Sequence, residues 1–324
     1  MKYFLFLLVL LSSFPTFAQR RIEEVVKKEK VEVDTRFDIN KFKTSCGKRE
    51  LPFAIVGSLN YPPFSWIIEE QVSSRDTKKV LIGIGVDYFN HISSKIFKNS
   101  HHSSDIIVNS DEEISKSMLR GSADFFINAY YDNNPSLGVD YIFPSYLTNH
   151  MIVVLRKDDD KTKIEKVEDL VNYKGVIRSD EYTDWIYKGI GIDINFTDKV
   201  IIKNDSKEAL TSLLKGEVDY FFTGIYSARA EVTRYKLFDE VKIIENSLKA
   251  NRIFFTLSKM SKCRDYKALF DKAIEDDIND NETIKKIVLE NILKYVEQFK
   301  DEPKLTVEKE TTPPIQTNEE IAKP

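Results

Sequence analysis

The chain has 324 residues, 42% of them hydrophobic and 31% charged, with a net charge of −4. That length and balance allow two cores and exclude a chain too polar to fold. The slight acidity excludes nucleic acid as the expected partner, because such a partner asks for a basic face.

In chain order, Lys2 precedes an apolar run from Tyr3 to Leu11, then Ser12, Ser13, Pro15 and the small-residue site Thr16-Phe17-Ala18. This reads as a secretory signal peptide over 1–18, cut after Ala18. The run is short for a membrane span. No cysteine follows the cut to take a lipid, so a periplasmic location is expected. Residues 19–45 are charged, mixed in sign and free of Gly and Pro, and read as a flexible lead-in. Cys46 and Cys263 are the two cysteines. In an oxidising compartment such a pair is expected to form a disulfide rather than a metal site. Closing so long a loop adds about 4–5 kcal/mol on the chain-entropy account.

The first strand is predicted at 52–57 (PFAIVG). The loop Tyr61-Pro62-Pro63-Phe64-Ser65-Trp66 follows, with three rings held by two prolines. Rings on a stiff loop lose little entropy on stacking against a ligand. Residues 83–97 read as a helix, with Val86, Phe89, Ile92 and Ile96 on one side, and 104–109 as a strand. Gly83 and Gly85 lack the third glycine of a dinucleotide fingerprint, and no cofactor is expected.

Residues 109–131 and 204–226 then align without a gap. Asn109, Glu113, Ser117, Leu119, Gly121, Asp124, Phe126 and Tyr131 recur as Asn204, Glu208, Ser212, Leu214, Gly216, Asp219, Phe221 and Tyr226. Such a repeat indicates one supersecondary unit used twice. Ser110 with Glu113, and Asp205 with Glu208, have capping-box spacing. Gly121 and Gly216 suit a left-handed helix end. The apolar runs 125–127 and 220–222 fit strands buried on both faces. The residues just past them fall at the carboxyl edge of a sheet, where open α/β folds bind ligands.

Residues 132–146 read as a loop, 151–156 as a strand, 167–172 as a short helix and 174–178 as a strand. A helix at 182–190 and a strand at 199–203 lead into the second repeat. A helix at 227–236, a strand at 241–245 and an extended run at 251–258 come next, then one or two helices over 264–299. The fold class expected is two-lobed α/β with two hinge crossings, near 141–150 and 248–253. Lobe one takes 46–145 plus 250–300, lobe two takes 146–249, and 301–324 is a disordered tail. A cleft between hinged lobes suits a closing ligand site.

These pieces in this order resemble the bacterial extracellular solute-binding proteins of family 3, which have the type 2 periplasmic binding fold. The resemblance rests on YPPFSW (61–66), GIGVDYFNHISSKI (83–96), MLRGSADFFINAYY (118–131), FPSY (143–146), VEDLVNYKGVI (167–177) and LLKGEVDYFF (213–222). It implies capture of a small solute between the lobes, delivery to the membrane permease of an ATP-driven ABC importer, and a monomer. Carried over by position, Tyr61, Phe64 and Trp66 form a stacking wall. Asn128, Ala129 and Tyr130 give contacts from lobe one, and Tyr146 lies at the crossing. Arg178, Ser179, Asp180 and Thr223 give contacts from lobe two. Two departures stand out. The carboxylate-binding Arg of amino-acid binders is missing from 132–138, and their ammonium-binding Asp is replaced by Thr223-Gly224. A buried zwitterion needs paired charges, so a less charged ligand is expected, although Arg178, Arg229 and Asp180 could supply charge.

Two rival classes stay open: a sensing or interaction module on the same fold, and a periplasmic dehydratase-like enzyme. His91, His101, His102 and His150 show no metal spacing, and no GxSxG elbow is present. A non-enzyme without metal is therefore expected.

Overall fold

The apolar runs become the middle of one long sheet. The computed structural model describes residues 53–73, 76–97, 103–105, 111–131, 138–179, 199–279 and 282–307. The signal peptide, the lead-in, Cys46, Ser110, Asp180, the helix predicted at 182–190 and residues 308–324 lie outside the described residues. In chain order the strands are β1 (Phe53–Val56), β2 (Asn60–Tyr61), β3 (Ser65–Gln71), β4 (Thr77–Ile82), β5 (Ser103–Asp105) and β6 (Phe125–Tyr130). They continue as β7 (Val139–Tyr141), β8 (Leu147–Arg156), β9 (Gly175–Arg178), β10 (Val200–Lys203), β11 (Tyr220–Gly224) and β12 (Val241–Ser258). The α-helices are α1 (Ile84–Ile96), α2 (Asp111–Arg120), α3 (Ser206–Lys215), α4 (Ile225–Arg234), α5 (Lys267–Ile278) and α6 (Glu282–Gln298).

The main sheet runs β10-β9-β11-β8-β12-β6-β1-β5, with β7 paired to β12. Parallel triplets sit at both ends: β5, β1 and β6 in the first lobe, and β10, β9 and β11 in the second. Parallel neighbours need crossovers; among the described residues α1 lies between β1 and β5, α2 between β5 and β6, and α3 between β10 and β11. The long antiparallel strands β8 and β12 join the lobes and pair with each other. β12 is one 18-residue strand where two were predicted, because its pairing with β8 slips between Ile244 and Lys249 and then resumes.

The two repeat copies do the same physical job. α2 and α3 each end at a glycine with positive φ, 67° at Gly121 and 76° at Gly216. Asp124 then accepts from the Ala54 amide (2.9 Å) at the start of β1, and Asp219 from the Lys174 amide (2.8 Å) beside β9. The same aspartates return a backbone bond, Asp124 N to Ala54 O (2.7 Å) and Asp219 N to Lys174 O (2.8 Å). Each copy thus clips its strand to a parallel neighbour with two bonds. In the second copy the Asp205 side chain accepts from the Glu208 amide (2.9 Å), as the capping spacing predicts.

Side chains of the central strands alternate between two cores in the second lobe. Met151, Val153, Leu155, Tyr220 and Phe222 face one side with Ile177. Ile152, Val154 and Phe221 face the other, against Ala209, Leu213, Ala228 and Val232 of α3 and α4. In the first lobe Phe53 is 1% exposed, and its ring meets those of Phe89, Phe97, Phe125, Tyr266 and Phe270 within 5.9 Å.

Two features differ from expectation. β3 and β4 pair antiparallel as a ribbon, to which no element was assigned. Its outer half is exposed and carries Glu69 opposite Lys79 and Glu70 opposite Lys78. Cross-strand charge pairs hold its register where apolar alternation is lacking. Residues 301–307 also pack on the second lobe: Glu302 pairs with Arg234 (2.8 Å), and Leu305 joins the core beside Tyr235.

A buried ion cluster ties α1 to α5. Asp277 is 2% exposed and takes hydrogen bonds from Lys95 and from His91 Nε2 (2.9 Å). Burial pushes the Asp277 carboxyl up, but those two partners outweigh it and hold it below its ordinary 3.8. A lowered carboxyl stabilises the fold above its unfolded value and loses that contribution as pH falls. Asp277→Ala is expected to lower stability by about 3 kcal/mol at neutral pH. It should also flatten the acid limb of a urea-unfolding series below pH 3.8. An unchanged acid limb would assign that limb to other carboxyls.

Candidate functional site

The site is built from the aromatic loop and the first turn of α1. The amides of Ile84 and Gly85 donate to the carbonyls of Pro63 and Phe64, each at 3.0 Å. These are helix N-terminal donors without intrahelical partners, and the loop satisfies them. Gly83 sits beneath at φ 137°, and a Cβ there would fall 2.3 Å from Phe64 O. The loop is therefore held by backbone on both sides. Its Tyr61 and Phe64 rings stack at 4.8 Å.

Tyr61 reaches the Tyr130 hydroxyl (2.6 Å) at the end of β6. Asn149 Nδ2, on β8, donates to both hydroxyls, at 3.3 Å to Tyr61 and 3.1 Å to Tyr130. Asn149 is fully buried, and its Oδ1 receives no hydrogen bond. A Cβ on Gly224 would lie 2.3 Å from Asn149 Nδ2. The space that a side chain at 224 would need is thus filled by Asn149.

The second lobe closes on this network. Ser227 Oγ donates to Pro62 O (3.1 Å), the Tyr226 ring meets Phe64 edge-on at 5.9 Å, and the Arg178 guanidinium lies 5.9 Å from the Tyr61 ring. Arg178 is 3% exposed and donates to Ser206 Oγ (3.0 Å) at the start of α3. Beside it, Glu231 on α4 is also 3% exposed and accepts from Tyr295 OH (2.9 Å). Burial pushes the Glu231 carboxyl up, while Arg178 and Arg234 pull it down and the shift stays upward. A pocket of about 410 Å³ opens here, with walls from β2–β3, α3, α4 and the end of α6.

The residues named from sequence therefore separate into groups. Tyr61, Phe64, Tyr130 and Arg178 come together. Trp66 turns away from them, donates from Nε1 to Gln298 Oε1 (3.1 Å), and lines the pocket. Asn128 is spent internally: Nδ2 donates to Ser65 Oγ (2.7 Å), and Oδ1 accepts from Tyr146 OH (3.0 Å). Tyr146 is buried between Phe255 (4.5 Å) and Tyr88 (5.2 Å), a core position. Burial, before its neighbours Tyr130 and Tyr88, pushes its hydroxyl up. Ala129 pairs with Phe254 on β12, and Thr223 is buried in β11 opposite Ile152. Ser179 is exposed, and its amide bonds Lys203 O (2.7 Å). Arg229 pairs with Glu245 on the surface (2.7 Å), and His150 bonds Ser247 (2.8 Å), so neither faces the network. Asn149, Glu231 and Tyr295 were not anticipated. A polar residue inside the apolar crossing strand was the one available signal for Asn149.

Among the described residues no helix is long and apolar enough to cross a membrane. No family model and no curated protein matches the chain. Solved structures do match. A histidine kinase sensor domain with similarity to periplasmic binding proteins matches at TM-score 0.54 and 15% identity, over 72% of this chain and 94% of that one. The amino-acid ABC transporter substrate-binding protein AbpA from Streptococcus pneumoniae, bound to L-arginine, matches at 0.54 and 16%, over 75% and 95%. The periplasmic VFT2 domain of BvgS from Bordetella pertussis matches at 0.51 and 15%, over 76% and 92%. The chain thus has the two-lobed fold of periplasmic solute-binding proteins, which the sequence resemblance implied.

Proposed function

We propose that this chain captures a small molecule between its two lobes, after export to the periplasm and loss of residues 1–18. The observation that supports this most is the meeting of Tyr61, Tyr130, Asn149 and Arg178, which brings polar groups of both lobes and the crossing strand to one point. Binding there would favour the closed arrangement. Delivery to the permease of an ABC importer is the first reading, since AbpA is a transporter component. A sensing role is the second, favoured by the kinase sensor domain and BvgS. Binding without turnover is proposed in both. The lobes are proposed to divide at 46–145 plus 250–300 and 146–249.

A disulfide between Cys46 and Cys263 belongs to the same proposal; Cys263 is 3% exposed, and Cys46 lies outside the described residues. Native mass spectrometry of the mature chain as purified tests both points. A bound small molecule and no alkylatable thiol before reduction are expected. Returned at 100 times its Kd, that molecule should add about 2.7 kcal/mol of stability. An empty protein that no solute stabilises would remove the capture reading. Two alkylatable thiols would remove the bridge.

A further inference from the structure

The two crossing strands carry an unmet pair at one rung. β8 and β12 set Asn149 directly opposite Asn251. Residues opposed in this way project from the same face, with Cβ atoms about 5 Å apart. Asn149 is fully buried, and Asn251 is 5% exposed. Asn149 Oδ1 is a buried acceptor that receives no hydrogen bond, and Asn251 Nδ2 is a buried donor that makes none. Each is the kind of partner that the other needs, and burying both unmet is unfavourable.

The way Asn149 is held accounts for the missing bond. Its Nδ2 is turned to the hydroxyls of Tyr61 and Tyr130, both in the first lobe. Its amide also lies against Gly224 of the second lobe, where a Cβ would be 2.3 Å from Nδ2 and 2.6 Å from Oδ1. The amide is thus gripped from both lobes. Ser227 on Pro62 O, and the Tyr226 ring on Phe64, keep the lobes together around it. Parting of the lobes draws Asn149 from one grip or the other. The rung itself stays whole, because Leu147 to Met151 pair without a break with Ile253 to Lys249.

We propose that the Asn149–Asn251 rung is a two-position hinge device. With the lobes together, Asn149 serves the tyrosines and both unmet atoms stay unmet. With the lobes apart, its amide turns and Oδ1 accepts from Asn251 Nδ2. The proposal rests on the interlobe reading, since without parting there is no second position. The unmet pair opposes closure of the empty protein, and a solute bound between the lobes supplies the free energy that overcomes it.

The test is small-angle X-ray scattering of the mature chain without added solute, after unfolding and refolding to shed any bound molecule. Asn251→Leu keeps the volume of the side chain and removes the donor. Asn251→Ala removes the donor without adding bulk, and carries the test if the first variant does not fold. Each should raise the ratio of closed to open protein about 10-fold, read as a smaller radius of gyration than wild type. In an Asn149→Ala background neither change should alter the radius, because the acceptor is gone. An unchanged or larger radius in the single variants would overturn the device. A shift of the same size in the Asn149→Ala background would overturn the pairing of the two residues. In either case the interlobe reading stands if native spectra show a bound molecule, and falls only if they show none.

Discussion

Gly83→Ala is expected to destabilise the protein by about 2–4 kcal/mol, the sum of backbone strain and local overpacking. Two independent facts converge on this position. Its φ of 137° lies where side chains are strained, and its Cβ would sit 2.3 Å from Phe64 O and 2.7 Å from Ser65 Cα. Both atoms are backbone, so no rotamer change relieves the clash. The loop must move, and with it the Pro63 and Phe64 carbonyls that accept from the first amides of α1. Tyr61 and Phe64 move with the loop. The variant should therefore lose stability in urea and also lose the Tm response to whatever solute the wild type binds. Loss of stability with an intact ligand response would separate the loop from the site.

Gly224→Asp is expected to destabilise by about 4 kcal/mol or more, because it combines overpacking with a buried charge. It introduces a carboxylate at Thr223-Gly224, where the sequence resemblance implies the ammonium-binding Asp of amino-acid binders. It should nevertheless bring no amino-acid binding. The new Cβ would meet Asn149 Nδ2 at 2.3 Å and Cγ at 2.8 Å. Expelling that amide frees the Tyr61 and Tyr130 hydroxyls that it joins. Adding Asn149→Ala should recover part of the lost stability by making room. Amino-acid binding by Gly224→Asp alone, read as a raised Tm with a free amino acid, would show that Asn149 does not block this position.

What was legible in the sequence was local chemistry. The repeat could be read because a cap at Asp205 and a left-handed Gly216 act over a few residues; the clip made by its aspartate could not, since Asp219 meets the Lys174 amide from 45 residues away. The aromatic loop was legible for the same reason. The burial of Glu231 was not. On α4 it stands among Arg229 and Arg234 and reads as part of a solvated face. It is buried because α6 packs on α4 and brings Tyr295 from 64 residues away. Trp66 was grouped with Tyr61 and Phe64 because the loop was read alone; its indole instead reaches Gln298, 232 residues on, and lines the pocket beside them. Asn128 and Tyr146 fell at strand ends where ligands often bind, and their polar atoms instead satisfy each other. Sequence position gives the edge of a sheet; which polar groups remain unspent there depends on distant partners.

The end of the chain makes the two-crossing description incomplete. α6 is anchored to the first lobe through Lys294 and Asn291 on Asp87, at 2.7 and 2.9 Å. Beyond it, Glu302 accepts from Arg234 and receives Lys236 on its carbonyl, and the Leu305 amide bonds Tyr235 O. The polypeptide therefore passes between the lobes a third time, along the flank. That strap limits the directions in which the lobes can part, since rotation about β8 and β12 must also strip residues 302–305 from α4 or carry α6 along. A chain stopped at Lys300 would keep both hinge strands and every residue of the tyrosine network. It would be a different machine, with its range of opening no longer set by its own C-terminus.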